Sequence, residues 1–366
     1  MIAPHFHSVI LQPTTLCNLN CSYCYLPVHE RKTRTEMPIE VAQALAAGIT
    51  SQNTSEVVDV VWHGGEPLTT RREHFHHLVE AFEPLRRKGR IRHCVQTNAT
   101  LIDDAWCDFF TRYDFRVGVS IDGPAAANLS RVDWSNQPVF SRVERGISHL
   151  QARGIDFTAI CVVTAQTITH PHILLDFFEG LGAKSVGFNI EELEGANDAR
   201  QDIDPDHVRR FWRTMFDRID NGSTLRVREA DRLLGYLADV RAGRKDRWET
   251  VLIDPIPTIG TNGDVVVLSP ELLGVKNAHY DDFVLGNVLN EQLPTILTRA
   301  PHTAYVREHL NGVHQCRRTC EFFTFCQGGQ ASNKYFETGR FTTTETTYCR
   351  NAKQELVRAL GEKMGV

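Results

Sequence analysis

Between residues 7 and 190 the chain alternates short apolar runs with amphipathic ones, and this alternation restricts its fold more than any other feature. "HSVILQPTT", "VVDVVWHGGEP", "IRHCVQTNAT", "RVGVSIDGP", "DFTAICVVT" and "SVGFNIEE" predict six strands. "PIEVAQALAAGIT", "RREHFHHLVEAFEPLRRK", "DDAWCDFFTRY", "VERGISHLQARG" and "HPHILLDFFEGLG" predict the helices between them. Strands joined in this way predict an α/β fold, a partial (β/α)6 barrel of TIM type with helices outside. Near-continuous apolar runs predict strands buried on both faces.

The pattern changes after about residue 200. Two charged amphipathic helices are expected at about 204–220 and 228–245, then a hairpin in "TIGTNGDVVVLS" turning at Asn262-Gly263. A turn-rich, cysteine-bearing segment spans 316–349, and "NAKQELVRALGEKM" closes as a helix. The expected domains are therefore 1–247, a barrel with its following helices, and 248–366, a cysteine-rich extension.

The net charge of −5 argues against nucleic acid as a partner, and "RRKGRIR" reads as a solvated helix end. No run approaches the roughly 18–20 apolar residues of a spanning helix, and no signal peptide is visible. A cytoplasmic protein without a membrane partner is expected, so its ten cysteines should be thiols or metal ligands rather than disulfides.

Those cysteines cluster. Cys17, Cys21 and Cys24 follow the first strand as C-x3-C-x2-C, where a barrel carries its chemistry. Three thiolates are one ligand short of a closed tetrahedral site. Zinc would need a fourth protein ligand, for which His29 is conceivable, whereas an iron-sulfur cube would keep one iron open for a small chelator. Cys316, Cys320, Cys326 and Cys349 form C-x3-C-x5-C-x22-C, a complete set for either a cluster or a zinc ion. Cys94, Cys107 and Cys161 are isolated and read as small buried hydrophobes.

C-x3-C-x2-C with Tyr23 before its last cysteine resembles the signature of radical S-adenosylmethionine (SAM) enzymes. The resemblance implies a 4Fe-4S cluster on Cys17, Cys21 and Cys24, with SAM chelating the open iron. It implies SAM contacts from Tyr23, from Gly64, Gly65 and Glu66 in "GGEP", Asn98 in "QTNAT", Ser120 and Asp122 in "SIDGP", and Arg131. Strand alternation would set Ser120 and Asp122 on one face. Ala99 stands where the family often has glycine, and Asn128-Leu129 where it usually has His-Asp.

The C-terminal cysteines resemble half of the SPASM extension, which usually carries two auxiliary clusters. The other half is missing: Gln330 and Leu268 occupy two of its cysteine positions, and no cysteine lies between 162 and 315. One auxiliary 4Fe-4S cluster is implied.

"LQPTTLCNLNCSYCYLP", "VGVSIDGP", "VGFNIEELEG", "LSPELLG", "LGNV" and "NKYFETGRFTTTETTYCR" together resemble cyclophane-forming maturases of glycine-rich repeat precursors (the GrrM/OscB type). That likeness implies a ribosomally made precursor peptide, an external flavodoxin- or ferredoxin-like electron donor, and a 5'-deoxyadenosyl radical that takes a β-hydrogen. A carbon-carbon link to an aromatic ring two residues earlier then closes the macrocycle, with the auxiliary cluster accepting the surplus electron. Thioether formation and sulfatase formylglycine maturation are alternatives, as is a non-enzymatic iron-sulfur redox regulator. Sulfatase maturases carry an acidic base after the cysteine equivalent to Leu268, where this chain has Ser269. Glu191, Glu192, Glu194, Glu271 and Asp282 are candidate proton acceptors, each with a competing reading as a surface carboxylate. An edge strand could hold the precursor by strand addition.

Overall fold

The structure, a computed structural model, describes residues 1–52, 54–198, 201–249 and 252–365. Six parallel strands follow one another in space: β1 (Ser8–Leu11), β2 (Val58–Trp62), β3 (Ile91–Thr97), β4 (Arg116–Ser120), β5 (Phe157–Val163) and β6 (Val186–Ile190). Local chemistry sets the connecting helices. Asp103 caps Asp104–Arg112 by accepting from Trp106 N at 2.8 Å. Pro171 opens Pro171–Leu181, and Gly182 ends it in a left-handed conformation. Pro84 marks the break that divides the expected helix at 71–88 into Arg72–Glu80 and Glu83–Arg87.

Burial alternates along β1, β2, β3 and β5, whereas β4 and β6 each carry three consecutive buried residues, as strands buried on both faces would. In β3, Ile91, His93, Val95 and Thr97 are buried, while Cys94 and Gln96 are only half-buried and line an interior space. Six strands do not close on themselves, so the inward face borders cavities of about 1710 Å³ at one end and about 1190 Å³ at the other, both touching Gln96. The apolar runs of β1, β2, β3 and β5 thus have one packed face and one less buried face, while those of β4 and β6 are buried on both.

The extension continues the same sheet. β7 (Thr258–Ile259) runs parallel beside β1, with Ile10 opposite Thr258. β8 (Asp264–Val266) and β9 (Gly286–Asn287) follow antiparallel. The turn between β7 and β8 contains Gly263, as expected. The cysteine-bearing segment is more helical than its composition suggests, with helices Ala304–Thr319 and Ala331–Thr338. The C-terminal helix Glu355–Met364 packs on Pro205–Asp220, tied by Arg209 Nε to Glu355 Oε2 at 2.6 Å.

At the other edge β6 is sealed. Val186 N donates to Arg226 O at 2.9 Å, and Phe188 N donates to the buried Glu229 carboxylate at 3.1 Å. An edge strand whose donors are already satisfied is a poor template for an added peptide strand, so strand addition at β6 is disfavoured. No helix among the described residues is long and apolar enough to cross a membrane.

Candidate active site

The loop after β1 lies over the 1190 Å³ cavity, and Cys17, Cys21 and Cys24 all line it. Backbone bonds tie this loop to a distant segment: Asn20 N to Val132 O at 2.7 Å and Ser22 N to Ser130 O at 3.1 Å. Trp134 Nε1 donates to Cys17 O at 2.9 Å. Burial pushes the Cys17 and Cys24 thiols up and Cys21 to about 11. Such thiols stay protonated until a metal displaces the proton. Arg31 is 4% exposed, and its Nη1 has no protein partner. It opposes the upward shift at Cys21 and Cys24, as does Arg131. Arg31 Nε donates to Leu26 O at 3.0 Å, and a buried guanidinium with Nη1 still unpaired near Cys21 and Cys24 fits an anionic thiolate-bound cluster. Among the described residues no three His, Cys, Asp or Glu side chains converge on a single-ion position. Zinc needs sulfurs about 2.3 Å from one point, so thiols spread around a cavity suit a multi-iron cluster better.

The glycine turn after β2 presses against this loop. Gly65 has φ +59°, and a Cβ there would lie 2.6 Å from the carbonyl oxygens of Thr15 and Leu16. At Gly64 (φ +95°) it would meet the Gln12 side chain at 2.4 Å. Glu66 follows, 1% exposed and lining the cavity. Its carboxylate accepts from Leu68 N at 3.0 Å, Thr97 Oγ1 at 2.7 Å and Asn98 N at 2.7 Å. Burial nevertheless raises it to about 6, so an ammonium arriving beside it would restore full ionisation.

Asn98 and Ser120 line the same cavity. The Asn98 amide donates to Asn18 Oδ1 at 2.9 Å, and Ser120 Oγ accepts from Gln96 Nε2 at 2.8 Å. Asp122 departs from the alternation expected of it, because β4 ends at Ser120. Its carboxylate instead accepts from Arg131 Nε at 3.0 Å, Tyr23 Oη at 2.5 Å and Val162 N at 3.0 Å. Asp122 therefore stands behind Tyr23 and Arg131 and orients them, while Arg131 itself faces the cavity.

Carboxylates form the opposite wall. Glu191, Glu192 and Glu194 follow β6, and Glu271 comes from the extension. Ser332 Oγ donates to Glu194 Oε1 at 2.8 Å, and the Asn333 amide donates to both Glu192 and Glu194. Ser332 and Asn333 are fully buried. Burial raises Glu192, Glu194 and Glu271 well above the ordinary carboxylate range, and the charge of Glu271 raises the other two further. Tyr25 Oη, which lines the cavity, and Asn333 Oδ1 lack protein partners. Ser269 is 3% exposed and accepts from Ser332 N at 3.2 Å, a bracing position.

Cys316, Cys320, Cys326 and Cys349 surround a second cavity of about 400 Å³. Thr346 N and Gln354 Nε2 approach Cys349 Sγ at 3.5 and 3.6 Å. Burial raises Cys349 to about 11. Gln330 lines this space at one of the expected cysteine vacancies. Leu268, at another, is 7% exposed and packed in the core.

Two sequence candidates stand apart. His29 is exposed, and Asp282 sits in a surface turn held by Lys276 Nζ at 3.0 Å and Asn277 N at 2.8 Å. Neither lines the cavity. Arg31, Tyr25, Gln96, Ser332 and Asn333 escaped the sequence reading. Arg31 lies in the charged string "VHERK", whose composition matches a solvated helix and gives no sign of burial.

Residues 11–178 match the model of the Radical SAM superfamily. An uncharacterized protein of Synechocystis sp. is 32% identical over 98% of this chain and 93% of its own length. A cysteine-type anaerobic sulfatase-maturating enzyme of Clostridium perfringens is 26% identical over 88% of each chain. Among solved structures, native anSMEcpe with bound AdoMet superposes with a TM-score of 0.78 at 23% identity, over 98% of this chain and 97% of the other. Streptococcus suis SuiB bound to precursor peptide SuiA superposes at 0.66 and 18% identity, over 94% and 76%.

Proposed function

The chain belongs to the radical SAM superfamily, and on that premise we propose that it matures a ribosomally made peptide by joining a β-carbon to an aromatic ring, closing a cyclophane. The enzyme is related to anaerobic sulfatase maturases and resembles peptide-modifying enzymes in fold. The 4Fe-4S cluster with SAM supplies, when bound, one-electron cleavage and a radical able to abstract hydrogen.

Cys17, Cys21 and Cys24 hold that cluster. The Gly64-Gly65 turn packs against Gln12 and the cysteine loop and so sets Glu66 in the cavity lining, where its carboxylate would bind the ammonium of SAM. Asn98, Ser120 and Arg131 orient the rest of SAM, with Asp122 fixing Arg131 and Tyr23. Cys316, Cys320, Cys326 and Cys349 hold the auxiliary cluster. Crosslinking removes two hydrogens from the peptide, one as an atom to the 5'-deoxyadenosyl radical and one as a proton plus an electron, for which the four-cysteine cluster would supply the one-electron acceptor. The wall of Glu192, Glu194 and Glu271 takes the proton, because its raised affinities match an acceptor working near neutrality.

The observation that carries this reading is that carboxylate wall, bracketed by Ser332 and Asn333, in a chain whose residue 269 is serine. Similarity to the Clostridium perfringens enzyme favours sulfatase maturation as a second reading. Anaerobic incubation with a glycine-rich repeat precursor and, separately, with a sulfatase peptide decides between them. Fragment spectra showing a side-chain carbon-carbon bond and loss of two hydrogens support the cyclophane. An aldehyde formed only on the sulfatase peptide replaces that reading with the second.

A further inference from the structure

Two lysines share the cavity of the four C-terminal cysteines. Lys334 projects from helix Ala331–Thr338, is 3% exposed, and places Nζ 3.9 Å from Cys316 Sγ. Gly312 leaves room for it: a Cβ there would lie 3.0 Å from the same Nζ. Lys353 comes from the wide turn Arg350–Gln354 immediately after Cys349, with Nζ 5.6 Å from the centre of the Tyr348 ring. Neither forms an ion pair with a carboxylate among the described residues. Glu192 and Glu229 reach Lys353 only through longer-range Coulomb attraction.

Removing an ammonium from water is strongly unfavourable unless an anion compensates it. For Lys334 the Cys316 sulfur lies at 3.9 Å, and among the attractions on Lys353 that of Cys326 exceeds that of Glu229. Four thiolates around an iron-sulfur cube carry net negative charge, and gaining an electron makes it more negative. Fixed cations at this range favour the reduced state most. We propose that Lys334 and Lys353 are the countercharges of the four-cysteine centre and hold its reduction potential higher than thiolate ligation alone would. This rests on the auxiliary-cluster reading above. Both lysines act through the ligand shell and are positioning residues.

The test uses the full chain with Cys17, Cys21 and Cys24 replaced by alanine, so that only the C-terminal centre loads. Potentials are read by electron paramagnetic resonance during redox titration, with iron and sulfide assayed in each sample. Lys334→Met and Lys353→Met should each shift the midpoint to more negative values, Lys334→Met further because its charge acts on Cys316, Cys326 and Cys349 and that of Lys353 on Cys326. Lys334→Arg, which keeps the charge, should stay near the parent. Unchanged midpoints in fully loaded Met variants overturn the proposal, and so does an arginine variant shifted as far as the methionine one. If Lys334→Met does not load, Lys353→Met and Lys334→Arg still decide the matter. Zinc in place of iron in the parent sinks the proposal as well. Nucleoside formation by the unsubstituted protein is assayed separately, so that result leaves the barrel reading standing.

Discussion

The two cysteine sites solve opposite problems. The first opens on a cavity of about 1190 Å³ walled by residues from five strand ends, the cysteine loop and the extension. The second surrounds about 400 Å³ and draws its lining from residues 316 to 354 alone. An assembly of distant parts suits a site that must admit a co-substrate and a peptide. A locally built cage suits a centre whose ligands are complete. Charge differs in the same sense: the open site carries a wall of carboxylates, and the closed one carries lysines.

The largest test of this contrast removes one ligand from each site in turn. Cys17→Ala should drop 5'-deoxyadenosine formation to background. Cys349→Ala should leave that nucleoside near parental levels while crosslinked product disappears. Chromatography of nucleoside and peptide from one reaction reads both, and equal loss of nucleoside in the two variants would erase the distinction.

Next comes the carboxylate wall. Glu271→Gln should slow crosslinking about 10²-fold, the usual contribution of a positioned base, with SAM cleavage retained. In the parent, the crosslinking rate should rise with pH through the raised carboxylate range, because the acceptor works only when ionised. A flat profile from pH 6 to 8 would point the proton elsewhere.

Backbone strain gives a third comparison. Gly65→Ala meets two carbonyls at 2.6 Å on top of its positive φ, while Gly329→Ala (φ +74°) meets only Lys334 Cε at 4.0 Å. The first should cost about 3 kcal/mol or more and weaken SAM binding. The second should cost only about 1–2 kcal/mol, the left-handed penalty of a side chain. Melting temperatures and SAM titration test this, and equal losses would show that the turn is not tightly packed.

The last comparison is of stability against pH. Carboxylates with raised folded-state values bind more protons when folded than when unfolded, so stability falls as pH rises above 4.5. A Glu192→Gln/Glu271→Gln variant should match the parent near pH 5 and exceed it by on the order of 1–3 kcal/mol near pH 8. Urea midpoints at both values provide the measurement, and a gap that does not widen with pH would contradict it.

The strands were legible because each is a short apolar run ending in a turn signal, as Trp62 runs into His63-Gly64-Gly65. The cysteines were legible because spacing alone constrains them. Burial of charge was not. Arg31, Lys334 and Lys353 sit in strings that look solvated, and only the fold brings them beside thiols. Asp122 was misread locally, since side-chain alternation stops where the strand does. Asp282 follows the hairpin in sequence yet sits in a turn that points it to the surface, a placement set by its bonds to Lys276 and Asn277.

The pairing of β1 with β7 has a consequence for synthesis. Ile10 leaves the ribosome early, while its partner Thr258 emerges only after all six barrel strands have been translated. Until then the strand that leads into Cys17 keeps one side unpaired, a surface open to wrong partners. Iron delivered before the extension arrives would meet a half-built seat, so assembly of the first centre should follow the completion of translation.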